Sequence, residues 1–159
     1  MSVAYLGLGS NQDPERNLRA GIAALERSFE AVAVSPVYRS AAVGFEGADF
    51  LNGAARITTT LPVTELKAWL TRLEDRYGRD RSKPRFSDRS LDIDILLFDD
   101  LNGRFDGLEL PRDEILKYAH VLRPLADLAP ELTHPATGRS FAEHWAEFSG
   151  DRSLERVDL

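Results

Sequence analysis

The chain has 159 residues, 43% hydrophobic and 29% charged, with a net charge of −6 and no cysteine. That length and balance fit one soluble globular domain and exclude disordered, fibrous and membrane-spanning classes. Without cysteine there are no disulfides, thiolate zinc sites, iron–sulfur clusters or thiol nucleophiles, so any metal must be held by oxygen or imidazole.

The opening run Val3–Leu8 is apolar and strand-like and closes in Gly7-Leu-Gly-Ser-Asn11, which reads as a turn. Pro14 then opens a helix with Leu18, Ile22, Leu25 and Phe29 on one side. Ala31–Tyr38 reads as a second strand, interrupted by Pro36 and therefore suited to an edge. Residues 39–50 show no period and read as a long functional loop containing Gly44 and Gly47. Leu51–Thr60 is a third strand, and Pro62 begins a helix with Leu66, Trp69, Leu70, Leu73 and Tyr77 inward and Gly78 at its end. Residues 79–90 form a second irregular stretch, followed by the strand Leu91–Phe98. The tail reads as helical over Val121–Leu128, broken by Pro124, then as a turn at His134-Pro135 and a helix carrying Phe141, His144, Trp145 and Phe148. The order β, α, β, β, α, β with trailing helices predicts a ferredoxin-like (split βαβ) α+β fold, an antiparallel sheet with helices packed on it, on both faces in a three-layer α/β/α sandwich. One domain, residues 1–159, is expected, cytoplasmic because no targeting or membrane-spanning segment is evident.

The chemistry concentrates around Asp92 and Asp94, two apart on one strand, with side chains on one face and Cα atoms about 6.6 Å apart. Paired carboxylates on a rigid strand suit Mg²⁺, although a lone D-x-D is also what a half-solvated strand face carries. The preceding loop changes the balance: Arg79, Arg81, Lys83, Arg85 and Arg89 stand against Asp80 and Asp88, a local charge of +3 that leaves −9 on the rest of the chain. A cationic loop running into an acidic pair suits a polyphosphate held between arginines and magnesium. Arginine outnumbers lysine four to one in this loop, which favours bidentate contact with phosphate oxygens. Nucleic-acid binding is the rival use, but Phe86 is the loop's only aromatic and the overall charge is unfavourable. Gly7-Leu-Gly9 lacks the rest of a dinucleotide fingerprint, no P-loop occurs, and His120, His134 and His144 show no metal-ligand spacing.

The segment Arg85-Phe-Ser-Asp-Arg-Ser-Leu-Asp92-Ile-Asp94-Ile-Leu resembles the signature of the 6-hydroxymethyl-7,8-dihydropterin pyrophosphokinase family. Tyr5–Asn11 is similar to that family's opening strand, Tyr38-Arg39-Ser40 with Phe50-Leu51-Asn52 to its pterin side, and Arg123–Glu131 to a late helix, so the likeness covers residues 3–138. It implies a ferredoxin-like α+β sandwich that transfers the β,γ-diphosphate of ATP to the pterin hydroxymethyl group and releases AMP, in folate biosynthesis. It further implies two Mg²⁺ ions on Asp92 and Asp94, and Arg79 and Arg89 as catalytic cations. A pterin site follows from Ser40, Val43, Phe50, Asn52 and His120, and a nucleotide site from Glu74, Arg81, Phe86, Ile95 and Arg112. The chain departs from the family pattern at Ser87-Asp88, Gly107, Glu109, Arg112, Tyr118 and His120. Those departures keep a second reading open, a diverged paralogue that binds pterin or nucleotide without efficient transfer. Small-molecule substrates are expected as the only partners of a monomer, with no nucleic acid and no membrane.

Overall fold

The computed structural model describes residues 1–78 and 90–159. Strand β1 (Ser2–Ser10) runs through the centre of the main sheet, and its pleat sorts the two faces. Ala4, Leu6 and Leu8 lie in a core cluster with Leu18 and Leu25 of α1 (Pro14–Ser28) and Leu66, Leu70 and Leu73 of α2 (Val63–Arg76). Tyr5, Gly7 and Gly9 point to the other face, where Tyr5 packs with Leu122 and Leu125 of α3 (Ala119–Leu128) and Phe141 of α4 (Phe141–Glu147). Helices thus cover both faces, the three-layer form of the expected fold.

Among the described residues six strands make this sheet. β5 (Asp92–Phe98) pairs with β1, β1 with β4 (Phe50–Thr59), β4 with β3 (Val37–Ser40), and β3 with β8 (Glu155–Val157), all antiparallel, while β2 (Glu30–Val34) also pairs with β4. β5 is an edge. The order β5-β1-β4 with α1 and α2 as crossovers is the split βαβ arrangement.

The expected strand 31–38, interrupted by Pro36, is two separate strands, divided at Ser35-Pro36. Pro36 has no N–H for the ladder, and the Ser35 hydroxyl instead accepts the Ala54 N–H at 2.8 Å. The turn expected at Gly7–Asn11 is strand through Ser10. Pro124 does not break its helix: α3 runs on around it, lacking only the bond that a residue-124 N–H would give to the His120 carbonyl. A short hairpin, β6 (Gly103–Phe105) with β7 (Leu108–Leu110), and a 3₁₀ turn at Asp113–Leu116 link β5 to α3. The hairpin reverses through Asp106 and Gly107, at φ 49° and 79°, the pair of left-handed residues that a tight hairpin requires.

The edge strand β5 carries a bulge. Leu6 stands opposite Ile95 but Tyr5 opposite Leu97, so Leu96 is an extra residue in β5. Leu96 and Leu97 consequently both join the cluster under α3, while Phe98 returns to the α1/α2 side. The bulge falls two residues beyond Asp94.

Candidate active site

The register of three strands builds a trough on the α3 face of the sheet. Gly9 lies between Asp92 on β5 and Asn52 on β4, and Gly7 between Asp94 and Ala54. Because the two glycines project nothing, the floor is bare backbone with carboxylates along one wall. A Cβ on Gly9 would sit 3.6 Å from Asn52 Oδ1 and 3.8 Å from Phe50 Cδ1, inside the space that a flat ligand would use. Tyr118, His120 and Val121 at the start of α3, with Arg112 and Glu114, complete a cleft of about 220 Å³. Ser40, Val43, Phe50, Asn52, Asp92, Asp94, Arg112 and His120 therefore line one cavity. Glu74 and Ile95 do not: both are buried, 2% and 1% exposed, and Ile95 belongs to the core on the opposite face. Arg79, Arg81, Phe86 and Arg89 lie outside the described residues.

At the acidic wall, burial and then the neighbouring Asp92 push the Asp94 carboxyl up to about 6, against the opposing pull of Arg112 and Lys67. Arg112 shares this end: its Nη2 lies 2.8 Å from Glu114 Oε1. Burial disfavours its charge, but Asp94 and Glu114 outweigh that and hold its pKa above the usual guanidinium value. Two repelling, partly desolvated carboxylates on a rigid strand are well compensated by a divalent cation. Both donors are hard oxygens, which fits Mg²⁺. Among the described residues no three histidine, aspartate or glutamate side chains converge, so the rest of an octahedral shell would be water and substrate oxygen.

The opposite end is shaped for a flat, polar-edged ring. Asn52 is 6% exposed and donates through Nδ2 to Ser40 Oγ at 2.7 Å and to the Tyr38 carbonyl at 3.4 Å, which fixes the amide plane. Phe50 stands edge-on to Phe45, with centroids 6.3 Å apart. His120 is stacked on Tyr118 at 5.3 Å and 25°, and burial, partly opposed by Glu114, lowers its pKa so that the imidazole is neutral at pH 7. The Tyr38 hydroxyl donates to Asp127 of α3, tying the Asn52 side of the cleft to the helix that carries His120. Asn11 Nδ2 donates to the Ala48 carbonyl at 3.1 Å and anchors the 41–49 loop over the trough.

Gly7, Gly9, Glu114 and Tyr118 line the cleft although sequence reasoning gave them no such part. For the glycines a signal existed: two glycines spaced by two inside an apolar run denude one face of a strand.

Residues 5–130 match the family model described as 7,8-dihydro-6-hydroxymethylpterin-pyrophosphokinase (HPPK). The chain is 40% identical over 143 residues to the 2-amino-4-hydroxy-6-hydroxymethyldihydropteridine pyrophosphokinase of Pseudomonas aeruginosa, covering 87% of each. To the Bacillus subtilis protein of the same name it is 34% identical over 157 residues, covering 94% of this chain and 93% of that one. It superposes on the crystal structure of wild-type Plasmodium falciparum HPPK-DHPS with a TM-score of 0.70 over 92% of its length, at 12% identity. That match concerns the fold alone and spans 44% of the larger chain. The family match across most of the chain, with relatives at 40% and 34% identity, places this protein in the HPPK family.

Proposed function

We propose that this chain transfers diphosphate from ATP to 6-hydroxymethyl-7,8-dihydropterin and releases AMP, a step of folate biosynthesis, as the family name implies. The observation that carries this reading is the glycine-floored trough with Asp92 and Asp94 on one wall and Asn52 on the other. In the reaction the pterin hydroxyl oxygen forms a bond to the β-phosphorus, the bond from that phosphorus to the oxygen bridging to the α-phosphate breaks, and the hydroxyl proton is lost. No covalent enzyme intermediate is needed, so the chain contributes binding, orientation and charge.

Asn52 recognises the donor–acceptor edge of the pterin, and its bond to Ser40 holds the amide in the plane of the ring. Phe50 and the neutral His120 ring face the pterin, with Tyr118 behind His120 and Val43 in the loop that closes the trough. Asp92 and Asp94 would hold two Mg²⁺ ions, which would supply positive charge to the nucleotide's phosphates and acidify the attacking hydroxyl. Arg112 faces the phosphates beside the acidic pair. Arg79 and Arg89 neutralise charge on the transferred group, and Arg81 and Phe86 contribute the nucleotide wall, roles assigned by resemblance. Glu74 of α2, beneath β5, and Ile95, on the core-facing side of β5, serve that wall from behind rather than at its surface. Residues 1–159 act as one HPPK-like domain, a cytoplasmic monomer with small molecules as its only partners. Among the described residues no helix is long and apolar enough to cross a membrane.

A second reading, ligand binding without efficient transfer, draws on the Arg112–Glu114 pair, which occupies a guanidinium that phosphate would otherwise take. AMP formation with ATP, Mg²⁺ and the pterin separates the two. Transfer predicts AMP that requires the pterin and disappears in the Asp92→Ala/Asp94→Ala variant. Folded protein that binds pterin calorimetrically but forms no AMP supports the second.

A further inference from the structure

Glu74 is the one residue of the inward stripe of α2 that is charged: Leu66, Leu70 and Leu73 are 0–2% exposed, and Glu74 beside them is 2% exposed. An apolar side chain would complete that stripe without desolvating a polar group, so a carboxylate there must satisfy something. What it satisfies is in β5: Glu74 Oε2 accepts the Ile93 N–H at 2.9 Å.

Ile93 is the residue between the two aspartates. Its neighbours Asp92 and Asp94 stand in register with Gly9 and Gly7 of β1, and the Ile93 N–H points away from β1, to the side where, among the described residues, the sheet has no further strand. A buried N–H left there without an acceptor is strongly disfavoured, and an edge strand held from one side only can twist or slip. Because side chains alternate faces at every residue, a small rotation of the backbone at Ile93 swings both carboxylates at once. The bulge at Leu96 interrupts the β1 ladder just beyond Asp94, which removes one of the constraints on that side. Divalent ions of Mg²⁺ size tolerate little error in donor placement.

We propose that Glu74 is a positioning residue for the acidic pair: by taking the Ile93 N–H from beneath, its carboxylate locks the edge strand and so presets the separation and direction of the Asp92 and Asp94 side chains for a divalent cation. This rests on the metal reading of those aspartates and assigns Glu74 a role that acts on metal affinity rather than on contact with the base of the nucleotide.

The test uses Mn²⁺ as probe, titrated into nucleotide-free protein and followed by electron paramagnetic resonance, together with amide exchange of Ile93 by NMR. Wild type should protect the Ile93 amide. Glu74→Gln, which keeps an oxygen acceptor, should retain that protection and bind Mn²⁺ within twofold of wild type. Glu74→Leu, folded by circular dichroism, should lose at least tenfold in Ile93 protection and at least tenfold in Mn²⁺ affinity. Asp94→Asn serves as control. If it leaves Mn²⁺ binding intact, the metal reading fails and the proposal with it. If Asp94→Asn weakens binding but Glu74→Leu does not, the positioning role alone is overturned. A fast-exchanging Ile93 amide in wild type overturns it irrespective of any variant, as does Glu74→Gln losing as much affinity as Asp94→Asn, since charge and not the accepted hydrogen bond would then be responsible.

Discussion

Replacing Asp94 by asparagine should make the metal-free protein more stable, by an amount that depends on pH. Burial and the Asp92 charge raise this carboxyl from 3.8 to about 6, roughly two pKa units. At about 1.4 kcal/mol per unit, ionised Asp94 destabilises the folded state by about 2–3 kcal/mol relative to the unfolded chain. The sign depends on which state holds the proton more tightly. The folded state does, so the relief that protonation gives is complete below the unfolded value of 3.8 and is lost as pH rises through about 6. Asparagine does not titrate and keeps the relief at every pH. In metal-free buffer at pH 8, Asp94→Asn should therefore melt about 5–10 °C above wild type, since 1 kcal/mol is worth about 2–4 °C at this chain length. Towards pH 4 the gap should shrink to within about 2 °C. Added Mg²⁺ should raise the melting point of wild type and leave the variant unmoved, narrowing the gap from the other side. A variant no more stable than wild type at pH 8, or a gap independent of pH, would refute the view that Asp94 is a strained, cation-seeking carboxylate.

Other substitutions separate the two ends of the cleft from the core. Asn52→Ala removes the amide that faces the trough and donates to Ser40, and should raise the pterin KM at least tenfold while the ATP KM stays within about twofold, as steady-state kinetics would report. Tyr38→Phe deletes only the hydroxyl that joins β3 to Asp127 and should lower stability by about 1–2 kcal/mol in urea titrations, with m unchanged. Leu122→Ala opens a cavity beneath α3, where Leu122 is fully buried, and should cost about 2–5 kcal/mol, equally with and without Mg²⁺.

Much of the frame was legible because the physical signals were local. Apolar spacing placed α1 and α2, short apolar and β-branched runs placed β1, β4 and β5, and the fold class followed from their order. Ser40, Val43, Phe50, Asn52, Asp92, Asp94, Arg112 and His120 do meet at one cleft. What escaped depends on contacts distant in sequence. β8 is a strand because β3 offers it an edge, and nothing in Glu155-Arg-Val157 announces this. Pro36 signalled the interruption there, but the contact of Ser35 with Ala54, nineteen residues away, did not show in the sequence. Glu74 was expected at the nucleotide wall by resemblance, and only the packing of α2 under β5 places its carboxylate on the Ile93 amide. The Asp106-Gly107 hairpin is different in kind, since its left-handed turn pair is itself a sequence signal.

The central claim is transfer of an intact diphosphate, and the most direct measurement is ³¹P NMR of the reaction of ATP, Mg²⁺ and 6-hydroxymethyl-7,8-dihydropterin with the purified protein. AMP and a pterin diphosphate ester should rise together in equal amounts, with neither ADP nor free pyrophosphate, and the spectrum should not change when the Asp92→Ala/Asp94→Ala variant is used. Production of ADP with a pterin monophosphate, or no turnover by folded wild-type protein at saturating substrates, would contradict it.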